Sequence, residues 1–283
     1  MDKENELEDG ILSVEVDEDV IGKVITGEIT QIYLDITEAN YQQILENKDG
    51  NLVPVADELP KTYHGCYYYN NGEFPYVIKK SLDVLLLSDG EDHCLSKIIC
   101  VGVEPGTRFR FQGKDKPSIE DPNGDSCIWE VQFEVVPMLA EPRYYLMRWN
   151  PSISTFKEKD FQECLNNREN VMFRMNWSIY DWQEARRGDI FYMMRTGDDK
   201  AGIVFTGLFL TDPYPGDDWA GSNKRRMYVD IVCLKVSESD DKPLIPLDKL
   251  QKVTPSIDWS KGHSGERIPE EVINKISELL GAE

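Results

Sequence analysis

The chain has 283 residues, 40% of them hydrophobic, and a formal net charge of −21. That is enough apolar material for one large or two ordinary domains, and it excludes a chain disordered throughout. The charge argues against a sequence-blind binder of nucleic acid, which needs clustered Lys and Arg to meet phosphates. The acidity is uneven, because residues 1–140 hold 28 of the 52 acidic but only 11 of the 31 basic side chains. The second half is close to balance. No apolar run approaches the roughly 20 residues of a membrane-spanning helix, so no membrane partner is expected. The opening Met1-Asp2-Lys3-Glu4-Asn5-Glu6 lacks the basic and apolar parts of a secretory signal. Six cysteines with no C-x-x-C pair suit free thiols in a cytoplasmic protein.

In chain order, residues 1–12 read as an acidic tail and residues 13–138 as a first, mostly β domain. Within it, residues 38–47 are expected as a short helix, since Tyr41, Ile44 and Leu45 share helical spacing. Residues 47–50 and 70–72 read as turns and residues 114–124 as a polar loop. Strands are expected over 84–87, 97–103, 107–112 and 127–136, which are rich in β-branched and aromatic residues. Pro137 and Pro142 bracket a domain boundary. The second domain, 143–283, opens with a strand at 144–148 and a helix near 156–166. A short helix near 179–185 leads into a Gly188-Asp189 turn, followed by strands at 190–195, 202–210 and 227–236. A terminal amphipathic helix spans 269–280, with Pro269 in its first turn and Gly281 at its end.

Four of the six tryptophans, Trp149, Trp177, Trp182 and Trp219, fall within one 71-residue stretch of this second half among turn-forming and polar residues. Such residues have two uses. They anchor a small β-rich core, or they wall an aromatic pocket whose polar rim holds a flat, hydrogen-bonding ligand such as a nucleobase.

The ordered segments Tyr144-Tyr145-Leu146-Met147-Arg148-Trp149-Asn150-Pro151, Trp177-Ser178-Ile179-Tyr180, Arg187-Gly188-Asp189-Ile190-Phe191-Tyr192, Gly202-Ile203-Val204 and Tyr214-Pro215-Gly216 resemble an EVE domain. That family belongs to the PUA-like superfamily and is related to YTH domains. The closing Gly262-His263-Ser264-Gly265 loop is similar as well. Two departures stand out: the Trp loop continues Ser178-Ile179-Tyr180-Asp181 where the family has Gly-Val-Arg-Asn, and Phe205 follows Val204 where small residues are common. Over residues 20–35 and the strands beyond, the first half faintly resembles an ASCH domain, another PUA-like fold. Some small ASCH proteins are amidohydrolases of acylated cytidine, but Ile29, Ile32 and Leu34 stand where their lysine, second threonine and arginine would be.

Together the resemblances imply an α+β, β-rich protein made of two PUA-like pseudo-barrel domains with short flanking helices. They imply that the second domain reads a nucleobase, plain or modified, in RNA or DNA. Its expected pocket residues are Trp149, Asn150, Trp177, Ser178 and Tyr180, with His263 and Ser264 closing one side. Expected phosphate contacts are Arg186, Arg187, Lys224 and Arg225. Two other functions stay open: a scaffold whose acidic first domain docks a basic protein, and an ASCH-like nucleoside amidohydrolase. No catalytic residue, cofactor or metal is expected, because there is no phosphate loop, nucleophile elbow or zinc-protease motif. His64, Cys66, His93 and Cys94 match zinc ligands by type but not by spacing.

Overall fold

The computed structural model describes residues 10–36, 41–47, 76–101, 109–111, 127–167, 172–222 and 224–281. The expected turn at 47–50 apart from Asn47, the turn at 70–72, the loop at 114–124, and His64 and Cys66 lie outside them. The chain is a strand-rich α+β protein with two curled half-barrel sheets. It divides into two compact units, Met1–Pro137 and Met138–Glu283.

In the first unit the described elements are β1 (Ile11–Glu15), α1 (Val20–Thr26), β2 (Gln31–Ile36), α2 (Tyr41–Ile44), β3 (Leu45–Asn47), β4 (Tyr76–Ile78), β5 (Val84–Ser88), β6 (His93–Val101), β7 (Phe109–Phe111) and β8 (Cys127–Pro137). The main sheet runs β1-β5-β6-β8-β2, with β7 also on β8, and β3 pairs with β4 apart from it. Its strands alternate as half-buried strands should: Leu12 and Val14 of β1, and Leu85 and Leu87 of β5, turn inward. They pack with Ile21 and Val24 of α1 and with Val131, Phe133 and Val135 of β8. β1 starts inside the segment expected to be a tail, because Ile11 and Leu12 pair in parallel with Val84 and Leu85. The helix expected over 38–47 is one turn, Tyr41–Ile44. Leu45, fully buried, leaves it for the β3–β4 ladder.

The second unit contains β9 (Tyr144–Trp149), α3 (Glu158–Asn166), β10 (Phe173–Ser178), a 3-10 turn at Trp182–Glu184, β11 (Ile190–Arg195), β12 (Gly202–Phe209), β13 (Tyr214–Asp217), β14 (Arg225–Val236), β15 (Ile245–Pro246), α4 (Leu247–Val253), β16 (Glu266–Arg267) and α5 (Glu270–Gly281). Its sheet runs β10-β14-β12-β11-β9-β16, with β13 on β14 and β15 on β12. β9 and β11 are parallel, and the other pairs are antiparallel.

The sheet is covered on both faces, which explains why β11 and β12 read as unbroken apolar runs. One face carries Tyr145, Met147, Trp149, Phe191, Met193, Phe205 and Phe209 against Phe161 of α3. The other carries Leu146, Tyr192, Met194 and Ile203 against Leu250 of α4, Trp259, and Val272 and Ile276 of α5. Only glycine fits at Gly207, since a Cβ there would lie 1.8 Å from the Val232 carbonyl oxygen across the β12–β14 ladder.

Two local expectations are corrected here. The helix expected near 179–185 is one 3-10 turn, Trp182–Glu184, and the Tyr180 and Asp181 N–H groups before it donate to the Ser264 and Gly265 carbonyls. Asn176-Trp177-Ser178 is not loop but the end of β10, an edge strand whose outward residues are polar. Among the described residues, no helix is long and apolar enough to cross a membrane.

Two buried polar groups fasten the unit. Arg195 is 3% exposed and reaches Glu158, Asp198 and Asp240 at 2.7–2.8 Å, with its guanidinium over the rings of Trp149 and Phe161. Asp189, fully buried, accepts from the backbone N–H groups of Arg143 (2.8 Å) and Arg186 (2.9 Å), and burial raises its pKa. Asp189→Ala orphans both donors, so a loss of about 2 kcal/mol is expected in urea unfolding of the full chain.

Candidate functional site

A cavity of about 270 Å³ opens at one end of the second unit's sheet, and four segments build it. The first is the turn that ends β9. Asn150 Oδ1 accepts from the Ser152 backbone N–H (3.0 Å) and hydroxyl (2.6 Å), and the Asn150 carbonyl accepts from Ile153 and Ser154 N–H. This Asx turn is the local chemistry that an Asn-Pro-Ser sequence favours. The Asn150 amide also packs on Gly197, where a Cβ would stand 2.4 Å from Nδ2.

The second segment is the end of β10, which brings Asn176, Trp177 and Ser178 to the wall. The third is the loop 262–265. Its Ser264 hydroxyl accepts from Trp177 Nε1 (2.8 Å) and from the Arg148 backbone N–H (2.9 Å). Gly265, at φ 79°, allows this loop to lie on Ile179, whose Cα would be 2.5 Å from a Cβ. Arg148 braces the same loop, with Nη1 on Glu266 (2.6 Å) and on the His263 carbonyl, and Nη2 on the Asp258 carbonyl (3.1 Å).

The fourth segment is the β13–β14 hairpin, which sets Trp219, 42% exposed, at the mouth. The Tyr228 hydroxyl donates to the Asp217 carbonyl (2.5 Å) and accepts from Trp219 N–H (3.1 Å). Asp218 beside it is bound by Ser222 and Arg226, which hold its carboxyl down to about 2, below the ordinary 3.8. A carboxylate depressed by folding stabilises the native state above the unfolded value and loses that contribution as pH falls through the folded one. The Trp219 loop is therefore expected to stay latched above about pH 4 and to loosen between about pH 4 and pH 2. A tryptophan-fluorescence step in that window, missing from Asp218→Asn, is the check.

A second hollow, of about 530 Å³, adjoins the first and shares Ser178, Trp219, Gly262 and Ser264 with it. Tyr180 and His263 stack there with ring centroids 4.1 Å apart and planes within 8°. Trp182 and Arg225 also line it, and Tyr180 is 55% exposed.

Of the expected pocket residues, Asn150, Trp177, Ser178 and Ser264 line the cavity, and Tyr180 and His263 line the hollow beside it. Trp149 does neither. It is fully buried on the same face as Tyr145 and Met147, with its Nε1 on the Phe156 carbonyl (2.8 Å). Of the expected phosphate contacts, Arg225 lines the second hollow. Lys224 is exposed and lines neither. Arg186 also lines neither, and its guanidinium donates to the Glu141 carbonyl (3.3 Å). Arg187 is 7% exposed and donates to the Leu210 carbonyl (3.1 Å), so its charge is committed inside the protein.

The expected set omitted Arg148 and Tyr228, and it named Trp219 only among the tryptophans with two possible uses; all three are in the cavity wall. The alternation along β9 was the missing signal: Tyr145, Met147 and Trp149 share one face, so Arg148 points the other way. Among the described residues, no group of three metal-ligating side chains comes together.

No family model matches the chain. No curated protein matches it either. Among solved structures, the crystal structure of protein PSPTO5229 from Pseudomonas syringae is similar at 16% identity, covering 48% of this chain and 99% of that one, with a TM-score of 0.35. A likeness that slight assigns neither a site nor an activity.

Proposed function

We propose that the second unit is an EVE-like, PUA-like module that binds one nucleobase, plain or modified, of RNA or DNA, and that it binds rather than catalyses. The observation that carries the reading is the cavity in which Trp177 and Trp219 stand with Asn150, Ser178 and Ser264. Aromatic faces hold a base at roughly 1–3 kcal/mol each, whatever its sequence context. The polar side chains supply the hydrogen bonds that tell one base edge from another. Flanking phosphates would fall to Arg225 and Lys224, which are few for a chain of net charge −21. Most of the affinity must then come from the base itself, and binding should depend only weakly on salt.

The test is a titration of the full chain with short single-stranded RNA and DNA, followed by tryptophan fluorescence. Quenching that persists at physiological salt supports the reading, and its absence with every oligonucleotide removes it.

A further inference from the structure

We propose that this cavity selects its base by carbonyl oxygens: it takes an oxo-rich base of the uracil and thymine class and rejects one that presents an amino group at the same points. The inference rests on the base-binding reading and concerns which base is bound.

It follows from two wall groups whose hydrogen-bonding sense the protein has already set. The first is the Asn150 amide. The Ser152 backbone N–H, 3.0 Å away, can only donate, so the oxygen of the amide must face it. The Ser152 hydroxyl, at 2.6 Å, fills the other lone pair of that oxygen. Gly197 packed against the amide leaves it no other seat. What remains for a ligand is the Nδ2 donor, which has no acceptor among the described residues.

The second group is the Ser264 hydroxyl. Trp177 Nε1 (2.8 Å) and the Arg148 backbone N–H (2.9 Å) are both obligate donors, and they use its two lone pairs. Only its O–H is left, and the acceptor nearest to it is Met147 Sδ at 3.9 Å, a poor one. A carbonyl oxygen is a stronger acceptor than this thioether sulfur.

The surroundings add to the same polarity. Arg148 Nε, in the same wall and just beneath its surface, is a buried donor without a hydrogen-bond partner. The guanidinium charge itself is paired with Glu266, 2.6 Å away. The Tyr228 hydroxyl both donates and accepts within the protein, so it offers no counterweight. The remaining hydroxyls in the wall turn to either role and do not choose between bases, while the Asn176 amide, which bonds Tyr214 through its side chain, adds an acceptor that suits the N3–H between the two carbonyls.

Uracil and thymine carry two carbonyl oxygens, and cytosine replaces one of them with an amino group. An amino group set against either fixed donor leaves two donors opposed and out of water. One such mismatch is expected to weaken binding about tenfold.

The experiment titrates the full chain with short single strands in which one base, flanked by abasic positions, is uracil, thymine, cytosine or adenine. Uracil and thymine should quench tryptophan fluorescence at concentrations about tenfold lower than cytosine and adenine. Asn150→Asp keeps an oxygen for Ser152 and puts a carboxylate oxygen in place of Nδ2. It should favour cytosine over uracil, with folding checked by thermal melting. If that variant does not fold, Ser264→Ala takes its place and should narrow the uracil-to-cytosine ratio. Equal or tighter binding of cytosine or adenine to the unmodified chain overturns the selectivity and leaves base binding standing. An unchanged ranking in folded Asn150→Asp overturns it as well. No quenching by any strand overturns both.

Discussion

Trp219→Ala is expected to weaken binding of a single-stranded oligonucleotide by tenfold or more while leaving the unfolding midpoint of the full chain unchanged. Trp219 is 42% exposed at the cavity mouth, and the turn that carries it is held by Tyr228 and Asp218 rather than by the indole. Its removal takes away a stacking face worth roughly 1–3 kcal/mol and little of the core. Trp177→Ala is a poorer probe. Trp177 is 9% exposed and packs with the core around Phe156, so its loss mixes binding with stability. Parallel titration and thermal melting of the two variants separate these effects. A Trp219→Ala chain that binds as tightly as the parent shows that the mouth of the cavity holds no base.

Arg195→Ala is expected to destabilise the chain by about 3 kcal/mol, read from the urea midpoint. Removing one partner of a buried ionic cluster leaves the other charges uncompensated, at about 3–5 kcal/mol. The lower end applies because Glu158, Asp198 and Asp240 keep part of their surface in water and are screened there. The variant also loses the cation over Trp149 and Phe161, which ties α3 to the sheet. Arg195→Lys should recover only part of the loss, because an ammonium cannot serve three carboxylates with the geometry of a planar fork.

These residues show where the sequence was readable. β11, β12, β14 and α5 stood out because burial on both faces, or a clean apolar stripe, leaves a strong periodic trace. β10 and β13 left none. Both are edge strands whose outward positions are polar, Asn176 and Asp217 among them, and Pro215 is tolerated only at such an edge. The helices expected over 38–47 and near 179–185 are each cut to a single turn, where the Ile44 carbonyl accepts from Lys79 N–H and the chain around Tyr180 bonds to Ser264 and Gly265, partners no local pattern carries.

The site divides in the same way. Asn150, Trp177, Ser178 and Ser264 were expected in the wall because their segments resemble the EVE domain, and all four line one cavity. Trp149 had the same neighbours, but the pleat of β9 turned it into the core and put Arg148 on the other face. Arg187, next to an exposed arginine, was equally opaque: its burial comes from the Leu210 carbonyl and from Asp212, which accepts its backbone N–H. Charge alone does not say whether a guanidinium faces solvent.

The base-binding reading is tested most directly by titrating the full chain with short single-stranded RNA and DNA at low and at physiological salt while following tryptophan emission. Saturable quenching that survives physiological salt and disappears in Trp219→Ala is the predicted result. Emission that stays constant with every oligonucleotide, or quenching that salt abolishes and Trp219→Ala leaves intact, would contradict it and leave the aromatic cavity without a base to read.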